Sequence, residues 1–198
     1  MKHALHAANK KVLVLLLALC QLTLLLCSCA GASSAGQRDS FLMDTLIQQR
    51  IGAAPNAEAV LDEAEALLRQ LDNALSRFCP ESDVSRISAS AGAAPIPVGE
   101  DTLEVLRFAK EFSRQYSSAL AVTIAPLSDL WNVNAEDPRV PDASAIQAAL
   151  ALVDDAQLIL EGDTAFLARP GMSLDLGALG KGYACDRLIQ LFRDKGVT

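Results

Sequence analysis

Between Asn56 and Phe78 the residues Val60, Leu61, Ala64, Leu67, Leu68, Leu71 and Leu75 recur at intervals of three and four. That spacing puts them on one face of a helix, as an apolar stripe that must be buried against other elements. Glu58, Asp62 and Glu63 gather near its start, where the helix dipole favours acids, and Asn56 stands in the capping position after Pro55. Whatever fold the chain adopts has to be built around this helix.

The remaining pattern is mixed. A second helix is predicted from Asp101 to Tyr116, with Leu103, Leu106 and Ala109 or Lys110 on successive turns. A short helix follows a cap at Asp142 or Ser144, and a last one runs from about Lys181 to Lys195 with Ala184, Leu188, Leu191 and Phe192 on one face. Ser40 to Ala53 reads as one opening strand. Cys79 to Glu100 reads as a loop with room for a single helical turn. Ala119 to Trp131 begins as a β-branched run that Pro126 ends. Gln157 to Ala168 is a hairpin turning at Gly162-Asp163, and "GMSLDLG" adds a short strand. Strands and helices without strict alternation, and with a hairpin, favour an α+β fold: an antiparallel or mixed sheet with packed helices.

The first residues belong to a different problem. Lys2, Lys10 and Lys11 precede an apolar run, Val12 to Leu26, that is shorter than the roughly 20 residues of a spanning helix. This is the pattern of an export signal. Leu26-Cys27-Ser28-Cys29 resembles a bacterial lipobox with Cys29 as the acceptor; an uncleaved anchor is the alternative. The expected organisation is a lipoprotein signal peptide over 1–28, a lipidated Cys and flexible linker over 29–39, and a folded unit over 40–198. Ala30 to Gln37, small and polar, forms the leash. The protein is then expected on the extracytoplasmic side of a membrane, inner or outer, held by its lipid.

Composition narrows the chemistry. All 24 acidic residues follow Cys29, whereas Lys2, Lys10 and Lys11 of the 17 basic ones precede it, so that part is more acidic than the net −7 of the whole. No basic run stands out, and nucleic acid is excluded as a partner. Both histidines, His3 and His6, precede Cys29. Within this sequence, chemistry after Cys29 therefore falls to carboxylates, Lys, hydroxyls, backbone groups or a bound cofactor. Cys79 and Cys185 are the cysteines left beyond the signal; the sequence leaves their pairing open.

"SLDLGALGKGYACD", Ser173 to Asp186, sets Gly177, Gly180 and Gly182 between an acid, Asp175, and a cation, Lys181. Read as strand, glycine-rich turn and helix start, it is either only a turn or an anion site made of free N–H groups, a helix dipole and Lys181. Neither the Walker spacing nor GxGxxG fits. Met43, Phe78 and Trp131 read by default as core or packing residues, and Cys185 as a small buried one.

Four segments in order resemble the ApbE family, the FAD:protein FMN transferases: "MDT" at Met43 to Thr45, "SRFCPESDVSRIS", "VTIAPLSDLW" and "MSLDLGALGKGYACD". The resemblance implies an FAD-using, Mg²⁺-dependent transferase that moves FMN onto a Ser or Thr of a target flavoprotein, such as a subunit of a membrane electron-transfer complex, and releases AMP. It further implies that Met43, Phe78, the segment Ala119, Leu120 and Ala121, and Asp175 and Lys181 bind FAD, while Ala178 offers its backbone oxygen to Mg²⁺. Ala121 stands where the family has Asp, Phe78 where Tyr is usual, and Ala89 near a usual Asn. The sequence runs to Thr198. The family's "HIxDPxTG" segment, which carries its catalytic His, is expected beyond that residue. The expectation is therefore of an incomplete family fold, with no catalytic residue to assign up to Thr198, poor binding of Mg²⁺ and FAD, and no turnover. A non-catalytic flavin-binding lipoprotein and an FAD diphosphatase are the competing readings.

Overall fold

The computed structural model describes residues 33–116 and 119–197. The signal segment, Cys29 and the lipobox lie outside the described residues, and so does Thr198. The folded unit expected over 40–198 is thus described as far as Val197.

The chain opens not with one strand but with two. Strands β1 (Ser33–Leu42) and β2 (Thr45–Pro55) pair antiparallel, from Leu42 opposite Thr45 to Ser33 opposite Pro55. Two residues join them, Met43 and Asp44, both at positive φ, 53° and 54°. That is the requirement of a type I′ turn, normally met by Asn-Gly. Here it is met by residues with no such preference, which is why the sequence reads through it. The leash expected over Ala30 to Gln37 is likewise strand from Ser33 onward.

Helix α1 (Ala57–Leu75) follows at once. Its predicted stripe is the buried face, except that Leu67 is only half-buried. Asn56 does hold the capping position, but in the left-handed region and without a side-chain hydrogen bond to the helix. The hairpin covers one part of the stripe, with Ile51 and Ala54 packing on Ala57, Val60 and Leu61. Leu68, Leu71 and Leu75 enter the main core. Each buried leucine contributes roughly 1.5–3 kcal/mol.

The other helices close around α1. Helix α2 (Asp83–Ala89) is longer than the single turn expected, and its start is capped by Ser82, whose Oγ accepts the Ser85 N–H at 2.9 Å. Helix α3 (Glu100–Gln115) buries Leu103, Leu106 and Ala109. Asp83 reaches across to fix its entry, Oδ2 accepting from Gly99 N–H and Thr102 Oγ1, each at 2.8 Å. A small antiparallel sheet, ordered β3 (Ile96–Pro97), β5 (Thr164–Leu167), β4 (Leu158–Glu161), seals the far side of the core with the predicted hairpin turning at Gly162.

Three other expectations change. Val122–Ile124 is one 3-10 turn rather than strand, and it leads into helix α4 (Ala125–Trp131). Pro126 starts that helix instead of ending a strand, because the first turn of a helix tolerates a missing N–H. Helix α5 (Ala143–Leu150) begins after Asp142. The run Met172 to Leu176 alternates as a strand does, burying Met172, Leu174 and Leu176, but it joins no sheet. Its links are single bonds, Leu174 N–H to Ser88 Oγ at 3.0 Å and Asp175 N–H to the Val122 carbonyl at 2.8 Å. Helix α6 (Gly177–Asp194) then starts four residues earlier than predicted. All three glycines of the stretch lie inside it. The architecture remains α+β, with small antiparallel sheets and packed helices.

Candidate functional site

The turn at Met43, the end of α1 and the start of α6 meet at one open cleft of about 110 Å³, lined by Met43, Asp44, Asp72, Leu75, Ser76, Arg77, Phe78, Asp175, Leu176, Gly177, Gly180 and Lys181. It is smaller than the roughly 300–1,000 Å³ of clefts that enclose a drug-sized ligand. It can be a wall against which part of a larger molecule lies.

Each part of that wall has a local cause. The left-handed conformation of Met43 costs a non-glycine residue about 1–2 kcal/mol. It delivers the side chain to α6, where the place a Gly180 Cβ would take is 3.3 Å from Met43 Cε. Gly177 has a different reason. Its absent Cβ would sit 3.1 Å from Asp175 Oδ1, which accepts the Gly177 N–H at 2.9 Å. Gly177 and Gly180 therefore serve close side-chain approach, not a turn. One N–H at the start of α6 is already committed to Asp175.

The loop after α1 is pinned by its serines. Ser82 Oγ donates to the Ser76 carbonyl at 2.5 Å, Ser85 Oγ donates to the Arg77 carbonyl at 3.1 Å, and Ser76 Oγ accepts the Phe78 N–H at 3.2 Å. Phe78 is 72% exposed and is therefore no core residue. The Arg77 guanidinium lies 5.1 Å from its ring centroid, a cation–π distance. The same guanidinium bonds Asp129 of α4 through Nη2 and Asp175 Oδ2 through Nη1 at 3.4 Å.

Behind the cleft, Asp155 holds the Val122–Ile124 turn in place. Its carboxylate is buried and accepts from Val122 N–H at 3.0 Å, Thr123 N–H at 3.0 Å and Thr123 Oγ1 at 2.6 Å. Because Val122 in turn accepts from Asp175, this turn sets the height of Asp175 in the site.

The structure thus brings Met43, Phe78, Asp175 and Lys181 together from four segments. Lys181 is exposed on α6. Ala178 is exposed in the first turn of α6 and is not part of the cleft lining. Ala119 and Leu120 do not line this cleft either, and Ala121 faces a second groove, beside Lys110, Asp154 and Asp155. Trp131 and Cys185 are exposed rather than packed. Cys79 and Cys185 are both free thiols. Asp44 and Arg77 lie inside the segments that carry the resemblance but are given no role by it, and Asp72 has no sequence signal of its own. No catalytic residue is assigned among the described residues, which stop one short of Thr198.

Mg²⁺ needs several oxygen ligands. Among the described residues no group of three or more His, Cys, Asp or Glu could hold a metal ion. These residues do not by themselves fit a Mg²⁺ site.

A sequence model of the ApbE family matches residues 43–198. An FAD:protein FMN transferase of Klebsiella pneumoniae (strain 342) is 36% identical over 142 residues, covering 71% of this chain and 45% of the relative. One of Treponema pallidum (strain Nichols) is 32% identical over 176 residues, covering 83% and 49%. The crystal structure of the Pseudomonas stutzeri flavinyl transferase ApbE in its apo form superposes with a TM-score of 0.75 at 28% identity, over 84% of this chain and 57% of that one. The flavin transferase ApbE from Vibrio cholerae, at 23% identity and a TM-score of 0.77, shares the fold. The chain spans about half the length of the curated relatives it matches. On the ordered motifs, the fold and this match, the chain belongs to the ApbE family.

Proposed function

We propose that this chain supplies one wall of the FAD site of an FAD:protein FMN transferase. The observation that carries the reading is the convergence of Met43, Phe78, Asp175 and Lys181 on one cleft. Met43 and Phe78 offer polarizable and aromatic surface to a ring, Asp175 accepts from a hydroxyl or amino group, and Lys181 offers charge to the diphosphate. Because the Gly177 N–H is held by Asp175, the diphosphate would depend on Lys181 more than on a cradle of backbone amides.

In the proposed reaction an acceptor Ser or Thr oxygen attacks the phosphorus of the FMN half. The bond to the AMP phosphate breaks, AMP departs, and the hydroxyl proton passes to a base. Magnesium dependence belongs to this proposal: a bound Mg²⁺ would neutralise charge on the phosphates. The Ala178 carbonyl would give one ligand, with the others from diphosphate, water and groups outside those described here. Acceptors would be flavoprotein subunits of membrane electron-transfer complexes. The Leu26 to Cys29 stretch supports a lipid anchor at Cys29 on the extracytoplasmic face, which incorporation of labelled palmitate in the wild type and its loss in Cys29→Ala would test.

The main test is titration of the chain with FAD, read by flavin fluorescence, in the wild type, Lys181→Ala and Asp175→Asn. Each substitution is expected to weaken binding about tenfold, the size of one charge-assisted hydrogen bond. Wild-type affinity in both variants would remove the cleft from the FAD site. Product analysis with the complete gene product separates transfer from hydrolysis: FMN on an acceptor peptide against free FMN and AMP.

A further inference from the structure

We infer that Arg77 is the positioning residue of this cleft: it holds the Asp175 carboxylate, and with it the first turn of α6, in the orientation that receives the ligand. Neither Arg77 nor its second partner Asp129 is among the residues the family resemblance assigns.

Arg77 is itself held in place from α2. Its carbonyl accepts from Ser85 Oγ at 3.1 Å, and the preceding carbonyl, of Ser76, accepts from Ser82 Oγ at 2.5 Å. Its backbone is therefore anchored to α2. Its side chain is 17% exposed, against 62% for Asp129 and 24% for Asp175. A planar guanidinium presents two separate N–H faces and can hold two carboxylates at once, which a lysine cannot do with the same geometry. Here Nη2 takes the more exposed carboxylate, Asp129, and Nη1 takes the sheltered one, Asp175. Asp129 on α4 thus acts as the outer tether, and Asp175 as the group being placed.

Both oxygens of Asp175 are then occupied from opposite sides. Oδ2 accepts from Arg77, and Oδ1 accepts from the Gly177 N–H. This fixes the carboxylate plane and ties the opening of α6, hence Lys181 one turn further on, to the end of α1. The guanidinium also lies over the Phe78 ring. One side chain consequently sets three of the four residues that converge on the cleft. Removing it would leave three carboxylates, Asp44, Asp72 and Asp175, on the cleft with no cation but Lys181 among the lining residues.

The ligand part of this inference rests on the flavin reading above; the positioning part does not. The experiment has two arms. Amide hydrogen exchange on the intact chain is compared among the wild type, Arg77→Ala, Arg77→Lys and Asp129→Asn. Exchange of Gly177 and the first turn of α6 is expected to accelerate about tenfold in Arg77→Ala and less in the other two, with the central amides of α1 unchanged as the control for folding. No change at Gly177 overturns the inference whether or not FAD binds. FAD titration of Arg77→Ala, Asp175→Asn and the double variant forms a cycle. Arg77→Ala is expected to weaken binding about tenfold in the wild type and less than about twofold in the Asp175→Asn background, because its effect passes through Asp175. Additive losses would make Arg77 a direct ligand and overturn the positioning role. A response at Gly177 in a chain whose wild type does not bind FAD would uphold the positioning and remove the flavin.

Discussion

The three glycines of α6 look alike in sequence and should behave differently when replaced by alanine. In a helix interior, Gly→Ala is worth about 0.8–1 kcal/mol of stability when nothing opposes it. Gly182 has nothing within 4 Å of its missing Cβ, so Gly182→Ala should gain that amount in full, or about 2–4 °C in Tm for a chain of this size. At Gly180 the new methyl would stand 3.3 Å from Met43 Cε and 4.0 Å from Leu75 Cδ1. A methionine end can move by a few tenths of an ångström at small cost, so the net gain should fall to about 0.5 kcal/mol. That displacement pushes Met43 into the cleft, and FAD binding should weaken. At Gly177 the methyl meets Asp175 Oδ1 at 3.1 Å, against the hydrogen bond that starts the helix. Gly177→Ala should gain nothing and weaken FAD the most. Thermal melts give the stability order Gly182, Gly180, Gly177, and FAD titration gives the reverse order of damage. Equal stabilisation at all three positions, or unchanged FAD affinity in Gly177→Ala, would refute the claim that Gly177 and Gly180 exist for close approach.

Asp155→Asn leaves an amide donor facing two backbone N–H groups and a hydroxyl, and is expected to cost about 2–3 kcal/mol in denaturant titration. Gly92 sits at φ 75° with Pro170 packed against it, so Gly92→Ala combines strain and overlap and should cost about 3 kcal/mol by the same assay. Tyr183 Oη lies 2.7 Å from Asp101 Oδ1 and 2.8 Å from Glu104 Oε2, and burial, then the Glu104 carboxylate, raises its pKa above the ordinary 10.0. A raised pKa means that the folded state keeps the proton longer than the unfolded one. The stability it adds is whole below pH 10 and is lost as pH climbs beyond it, towards the folded-state pKa. Tyr183→Phe should therefore be less stable at pH 8 by about 1 kcal/mol, with a shallower decline in Tm above pH 10.

What the sequence made legible were features set by long periodicity. The stripe of α1, the buried face of α3 and the hairpin at Gly162 all follow from side-chain spacing and one ordinary turn signal. The misreadings share a cause: the usual local signal is missing, or the residue that carries it serves a different local role. Met43 and Asp44 make a type I′ turn without glycine or asparagine. Pro126 begins a helix, and three glycines lie within one. At Met43, Gly177 and Gly180 tertiary contacts override propensity, and these residues line the candidate cleft; Pro126 instead follows proline's ordinary preference for the first helical turn. Asp175 and Lys181 could be singled out from a contiguous stretch. Arg77 could not, because its partners are 52 and 98 residues away.

The early start of β1 also sets a length scale. Ser33 is four residues beyond Cys29, a span of no more than about 14 Å even when fully extended. Strand β1, ten residues and roughly 33 Å long, then carries the chain from that end to the Met43 turn at the cleft. If Cys29 bears the lipid, β1 sets how far the cleft can stand from it. It keeps the cleft within roughly 50 Å of the bilayer surface. If the chain also serves flavin transfer as proposed, an acceptor hydroxyl would have to be displayed within that shell, on a protein that shares the membrane or comes down to it.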